Sequence, residues 1–96
     1  MNRKHALQVL ARAKPELMHR YGVTRLALFG STVRDEARAD SDVDILVAFD
    51  GPATSEKYFG VQFYLEDALG RPVDLVTDKA MRPELQPYIE RELVSV

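Results

Sequence analysis

The chain contains no cysteine and no tryptophan. Without thiols it can form neither a disulfide nor a thiolate zinc site, which fits a reducing compartment. It also lacks a long apolar run, since no window reaches the ~18 uninterrupted apolar residues that a membrane-spanning helix needs. The opening residues, Met1-Asn2-Arg3-Lys4-His5-Ala6-Leu7-Gln8, are charged and lack the apolar stretch of a secretory signal. A cytoplasmic protein is the expectation. Basic charge is not in excess either: 13 Lys and Arg stand against 15 Asp and Glu, a formal net charge of −2. That balance argues against a protein whose main task is gripping nucleic acid, and no direct nucleic-acid binding is expected.

What remains is the composition of a folded protein, 46% hydrophobic and 29% charged over 96 residues. The expectation is a single small domain, 1–96, that buries about two-thirds of the surface of its unfolded chain. The acids are unevenly spread. Asp35, Glu36, Asp40, Asp42 and Asp44 fall within ten residues, a cluster that repels itself unless a cation neutralises it or the side chains fan into water.

Residues 3–20 have helical spacing, with Ala6, Leu10, Ala13, Leu17 and Tyr21 three or four apart. Pro15 lies inside that pattern and should kink or divide the helix, and Gly22 is its expected stop. Residues 24–29 form a nearly all-apolar strand, Ser31 to Glu36 a short helix, Ala37 to Ser41 a polar loop, and 43–49 a second strand. Asp50-Gly51-Pro52 marks a turn. A helix follows from Ser55 to Leu69, with Tyr58, Val61, Leu65, Ala68 and Leu69 on one face and Gly70 as its stop. The aromatics Tyr58, Phe59, Phe63 and Tyr64 read mostly as core, a base-stacking role for Tyr58 or Tyr64 being the lesser alternative. Pro72 to Val76 gives a third strand, and a last helix runs from about Pro83 to Arg91. The fold class is α+β in the order α-β-α-β-α-β-α. The short link between strands one and two allows antiparallel neighbours, whereas the helix between strands two and three suits a parallel crossover. A mixed three-stranded sheet with strand two in the middle is expected, flanked by helices.

In that sheet one stretch carries the chemistry: Gly30-Ser31-Thr32-Val33-Arg34, then Ser41-Asp42-Val43-Asp44-Ile45. The first part is a small-residue turn at a helix start, where free N–H groups can meet a phosphate. The second places carboxylates at i and i+2, on one side of a strand, where hard oxygen donors suit Mg²⁺. Asp74 lies between Val73 and Leu75 on the third strand, where an unpaired carboxylate is costly if buried. A cation shared with Asp42 and Asp44 relieves that cost, and three acids on two strands could hold one or two Mg²⁺ ions. In the plain alternative Asp44 faces solvent and Asp74 pairs with an arginine such as Arg71, while Gly30-Ser31 is an ordinary helix cap. The joint spacing favours a site.

Other motifs fail. Ile45 stands where an EF-hand loop beginning at Asp40 requires glycine, and Gly51 where it requires glutamate. No G-x-x-x-x-G-K-[ST] or G-x-G-x-x-G is present. His5 and His19 have no H-E-x-x-H frame and read as surface residues.

The residues Gly30-Ser31, Arg34 and Ser41-Asp42-x-Asp44-Ile45 match the G-S-x-x-R-x₆-S-D-x-D-[LI] signature of the nucleotidyltransferase superfamily that includes DNA polymerase β. In length and element order the chain resembles the smallest branch, the minimal nucleotidyltransferase (MNT) proteins. The resemblance implies that Asp42, Asp44 and Asp74 bind catalytic Mg²⁺. It implies too that Gly30 and Ser31 contact the triphosphate of ATP, with Arg34 and Ser41 as further nucleotide-binding residues. It also implies a prokaryotic antitoxin that transfers AMP from ATP to a tyrosine of a HEPN ribonuclease toxin, in a hetero-oligomer with that partner. The alternative function is a catalytically weak binding module that neutralises its partner by covering it. The C-terminal residues Leu85, Tyr88, Ile89, Leu93, Val94 and Val96 carry more apolar surface than a terminal helix on so small a sheet need bury, and are expected to pack partly on the partner, with core packing as the alternative.

Overall fold

The computed structural model describes residues 1–96. Helix α1 (Arg3–Tyr21) begins where the Asn2 side chain accepts a hydrogen bond from the His5 N–H and ends at Gly22, whose φ of 69° is the left-handed conformation. Pro15 does not divide the helix, which runs on through it to Tyr21. Pro15 and Ala11, whose carbonyl loses its helical partner, both lie on the exposed face, where water can supply the missing bond. Strand β1 (Val23–Phe29) leads into α2 (Gly30–Val33), one turn that stops short of the Ser31–Glu36 span read from the sequence. Asp35 explains the early end: its φ is 56°, and its carboxylate accepts from the Arg3 N–H at 2.7 Å.

Strand β2 (Val43–Phe49), helix α3 (Ser55–Leu69) and strand β3 (Val73–Thr77) follow nearly as read. A 3₁₀ turn at Asp78–Ala80, helix α4 (Gln86–Glu92) and a two-residue strand β4 (Val94–Ser95) complete the chain. β4 was not expected. It pairs antiparallel with the free edge of β1, so the sheet has four strands in the order β3-β2-β1-β4. As expected, β1 and β2 are antiparallel and β2 and β3 parallel.

The period-2 alternation of the strands divides the apolar residues between two faces. Leu26, Leu28, Val43, Ile45, Val47, Val73 and Leu75 face α1 and α3, and with Leu10, Leu17, Val61 and Leu65 form the main core. Ala27, Phe29 and Leu46 form a second, three-residue cluster on the opposite face, covered by Val76, Met81, Ile89 and Leu93. The C-terminal segment is therefore largely spent on its own chain: Val94 and Val96 pack on the main core, Ile89 and Leu93 on the small one. Only Leu85 and Tyr88 of the expected partner-facing set stand well exposed. Among the aromatics, Phe59 and Phe63 are exposed rather than core, stacked on each other along the outer side of α3.

Candidate active site

Residue parity places the carboxylates. Asp44 shares the small-cluster face with Leu46, and Asp74 shares it with Val76, because each lies two residues before an amino acid of that cluster. The parallel register makes Asp44 and Asp74 direct partners across β2 and β3. Asp42 stands one residue before β2, outside any strand, and is exposed.

Asp74 proves to be exposed, so the cost of burial that its sequence context suggested falls on Asp44 instead, which is half-buried. Burial first, then the neighbouring Asp74 and Asp42 carboxylates, push the Asp44 carboxyl up to about 6, and Arg34 only partly opposes them. Such a carboxyl resists ionising alone, and a cation beside it would offset that cost. No three His, Cys, Asp or Glu side chains are gathered closely enough to hold a metal ion as they stand. The donor set nevertheless fits a hard divalent cation: all three groups are carboxylates, two are register partners, and their mutual repulsion is what a cation would relieve.

The turn at the end of β1 faces the same place. Phe29 pairs with Asp44 in the sheet, so Gly30 abuts the Asp44 side chain. Gly30 has φ 76°, and a Cβ added there would stand 2.8 Å from Asp44 Cγ. Glycine is thus required twice, by the backbone conformation and by the close approach. Ser31, half-buried, follows in the first turn of α2. Next to it Thr32 is fully buried, and its Oγ1 is the one buried side-chain oxygen without a hydrogen-bond partner.

The other sequence-read residues have structural partners. Ser41 Oγ accepts from the Arg38 N–H at 2.9 Å and closes the loop before Asp42. Arg34 pairs with Glu92 at 2.6 Å and Glu36 at 3.6 Å, and these acids hold its guanidinium protonated more firmly than usual. Arg71 does not pair with Asp74. Its Nη1 donates to the Ala39 carbonyl at 2.6 Å, bracing the 37–41 loop from β3's side. Tyr58 donates to the Leu75 carbonyl at 2.5 Å, which occupies its hydroxyl in holding α3 on β3. Glu92, which meets both Gly30 and Arg34, had no sequence signal, lying more than fifty residues from either in a charged terminal helix. The 230 Å³ cleft between α1 and α3, lined by Val9, Arg12, Ala13, Tyr64 and Ala68, opens on the other side of the sheet and takes no part in this site.

A strand ending in a glycine turn is thus set against register-paired carboxylates on the open face of a mixed sheet. The family model described as nucleotidyltransferase domain matches residues 10–96, and the chain belongs to that family. The protein adenylyltransferase MntA of Thermococcus cleftensis is 42% identical over 88 residues, 92% of this chain and 89% of its own. A relative from Methanocaldococcus jannaschii, given the same activity by name, is 41% identical over 93% of this chain and 92% of its own. A solved structure described as a minimal nucleotidyltransferase matches 100% of this chain and 97% of its own, with a TM-score of 0.83 at 35% identity. The fold is shared at 20% identity with a chain from the Shewanella oneidensis complex of tri-AMPylated HEPN toxin and MNT antitoxin. There the TM-score is 0.65, over 92% of this chain and 69% of that one.

Proposed function

We propose that this chain, acting as one domain over residues 1–96, is a Mg²⁺-dependent protein adenylyltransferase. It transfers AMP from ATP to a tyrosine hydroxyl of a HEPN toxin in the prokaryotic cytoplasm and so serves as that toxin's antitoxin. The observation that carries the reading is the register pair Asp44–Asp74 with the side-chain-free Gly30 against it. The high identity to a protein adenylyltransferase over nearly the full length of both chains supports the acceptor class.

In this reading Asp42, Asp44 and Asp74 hold the metal, which when bound neutralises the triphosphate and lowers the pKa of the acceptor hydroxyl. Gly30 lets the phosphates approach the backbone, and the Ser31 hydroxyl donates to one of their oxygens. The acceptor oxygen attacks the α-phosphorus, the bond to pyrophosphate breaks, and the exposed Asp74 carboxylate can take the acceptor's proton. Ordering these charges and groups supplies most of the rate in such transfers.

Coexpression with a HEPN toxin, followed by mass spectrometry, tests the proposal. A tyrosine of the HEPN protein gains AMP with the wild type and not with Asp42→Asn/Asp44→Asn, whose transfer rate falls by at least about a thousandfold. A stable complex that stays unmodified in ATP and Mg²⁺ would make the chain a binding module instead.

A further inference from the structure

The C-terminal helix delivers one carboxylate to the turn that the reading above assigns to nucleotide. Glu92 Oε1 accepts from the Gly30 N–H at 2.9 Å, and Glu92 Oε2 accepts from Arg34 Nη1 at 2.6 Å. Both oxygens are engaged, one by backbone and one by a guanidinium, so the carboxylate is fixed in direction as well as position. Glu92 is the more sheltered member of its ion pair, with a side chain 27% exposed against 46% for Arg34.

Its own anchoring is firm. The Leu93 N–H closes the helix onto the Ile89 carbonyl at 2.9 Å. Immediately beyond, Val94 and Ser95 pair with Leu28 and Ala27 of β1, and the Val96 N–H donates to the Leu26 carbonyl at 3.0 Å. Lys14 of α1 then donates to the Val96 carbonyl at 2.5 Å. The strand that carries the turn and the segment that carries Glu92 are thus bonded to each other just before the turn begins.

Gly30 needs such a hold. Its left-handed φ is unusual for a helix start, its N–H is one of the donors a helix leaves unpaired, and Asp44 lies against its Cα. Because Glu92 consumes the Gly30 N–H, the donors left for phosphate are those that follow it, beginning with Ser31.

Resting on that reading of the site, we propose that Glu92 is a positioning residue for nucleotide binding. Its carboxylate clamps the Gly30 turn through the Gly30 N–H and Arg34, and so sets the distance between the phosphate donors and Asp44. The opposite role, an internal anion that phosphate must displace, fits less well, because Glu92's grip is on Gly30 and not on Ser31.

The test is Glu92→Gln, which keeps shape and the Gly30 contact but turns a donor amide toward Arg34, alongside Glu92→Ala, which removes both contacts. Calorimetry with Mg²⁺ and a non-hydrolysable ATP analogue should show affinity lower by about tenfold in Glu92→Gln and further in Glu92→Ala. In the transfer assay the KM for ATP should rise while kcat changes less, a split that a general loss of fold would not give. Unchanged or tighter analogue binding in Glu92→Gln would overturn the proposal, the latter pointing to a displaced anion. The Gly30 amide in a ¹H–¹⁵N spectrum reads the clamp directly: its resonance should move upfield and exchange faster in Glu92→Ala. No change there would also overturn it. If the wild type binds no analogue while Glu92→Ala still shifts the Gly30 amide, the nucleotide reading is refuted and the contact stands.

Discussion

The two faces of the sheet differ in kind. On the face under α1 and α3 the strands present apolar side chains that join those of the helices in a core of sixteen buried residues. The other face has three buried residues at its centre, a thin cover from the C-terminal segment, and the carboxylates at one end. The same strands supply both, since each alternates between them residue by residue. A domain this small has apolar side chains enough to bury one face deeply. The second face then has to be held by hydrogen bonds and ion pairs that reach across the chain, such as Arg25–Glu90 at 3.2 Å and the Glu92 clamp. Stability is concentrated on one side and chemistry on the other.

The largest contrast should appear on truncating a side chain from each face. Leu65 is fully buried beneath α3, and Leu65→Ala should cost about 3–4 kcal/mol in urea unfolding. Ile89, half-exposed over the small cluster, should cost only about 1 kcal/mol as Ile89→Ala. Equal costs would show that the thin face is as cooperative a part of the core as the thick one. Native-state hydrogen exchange should likewise find α4 and β4 opening at lower free energy than β2.

Gly30→Val attacks the junction of the open face and the turn. A β-branched residue at φ 76°, pressed against Asp44, should destabilise by about 2 kcal/mol and abolish detectable binding of the ATP analogue. A titration in which Gly30→Val binds normally would remove the turn from the site.

The smallest effect expected is a pH dependence. With Asp44 raised to about 6 in the folded protein, above its ordinary 3.8, the native state binds this proton more tightly than the unfolded chain does. The stabilisation is fully present below pH 3.8 and is lost as pH rises through 6. Because Asp44 is only half-buried, solvent screening should hold its contribution in metal-free protein to about 1 kcal/mol. Asp44→Asn should flatten that part of the profile. Mg²⁺ should bind more weakly below pH 6, since it must displace the proton, and calorimetry in buffers of different ionisation heat would measure that release. Mg²⁺ binding independent of pH across this range would place the ion away from Asp44.

Much of the architecture was legible because it is local. The glycine stops at Gly22 and Gly70, the all-apolar strands and the Ser55–Leu69 helix follow from backbone conformation and periodicity read over short windows. Asp44 and Asp74 were legible for the same reason, since alternation along a strand fixes their face, whereas Asp42 lies just before β2 where alternation does not reach. Pro15 misled because its effect depends on whether water can reach the abandoned carbonyl, a property of the outer surface and not of the residue. Phe59 and Phe63 misled because hydrophobicity does not say which side of a helix the sheet will take.

By itself the sequence determined the order and directions of β1, β2 and β3, and it marked the spacing of Asp42 and Asp44 and a small-residue turn before them. Local chemistry and alternation suffice for each. The tertiary structure alone decided that Asp44 rather than Asp74 bears the burial, and that a two-residue strand at the C-terminus closes the free edge of β1. It alone also brought Glu92 to Gly30. These depend on register and on contacts between segments more than sixty residues apart, which are settled only when the sheet assembles and one side chain's neighbours become fixed by all the others.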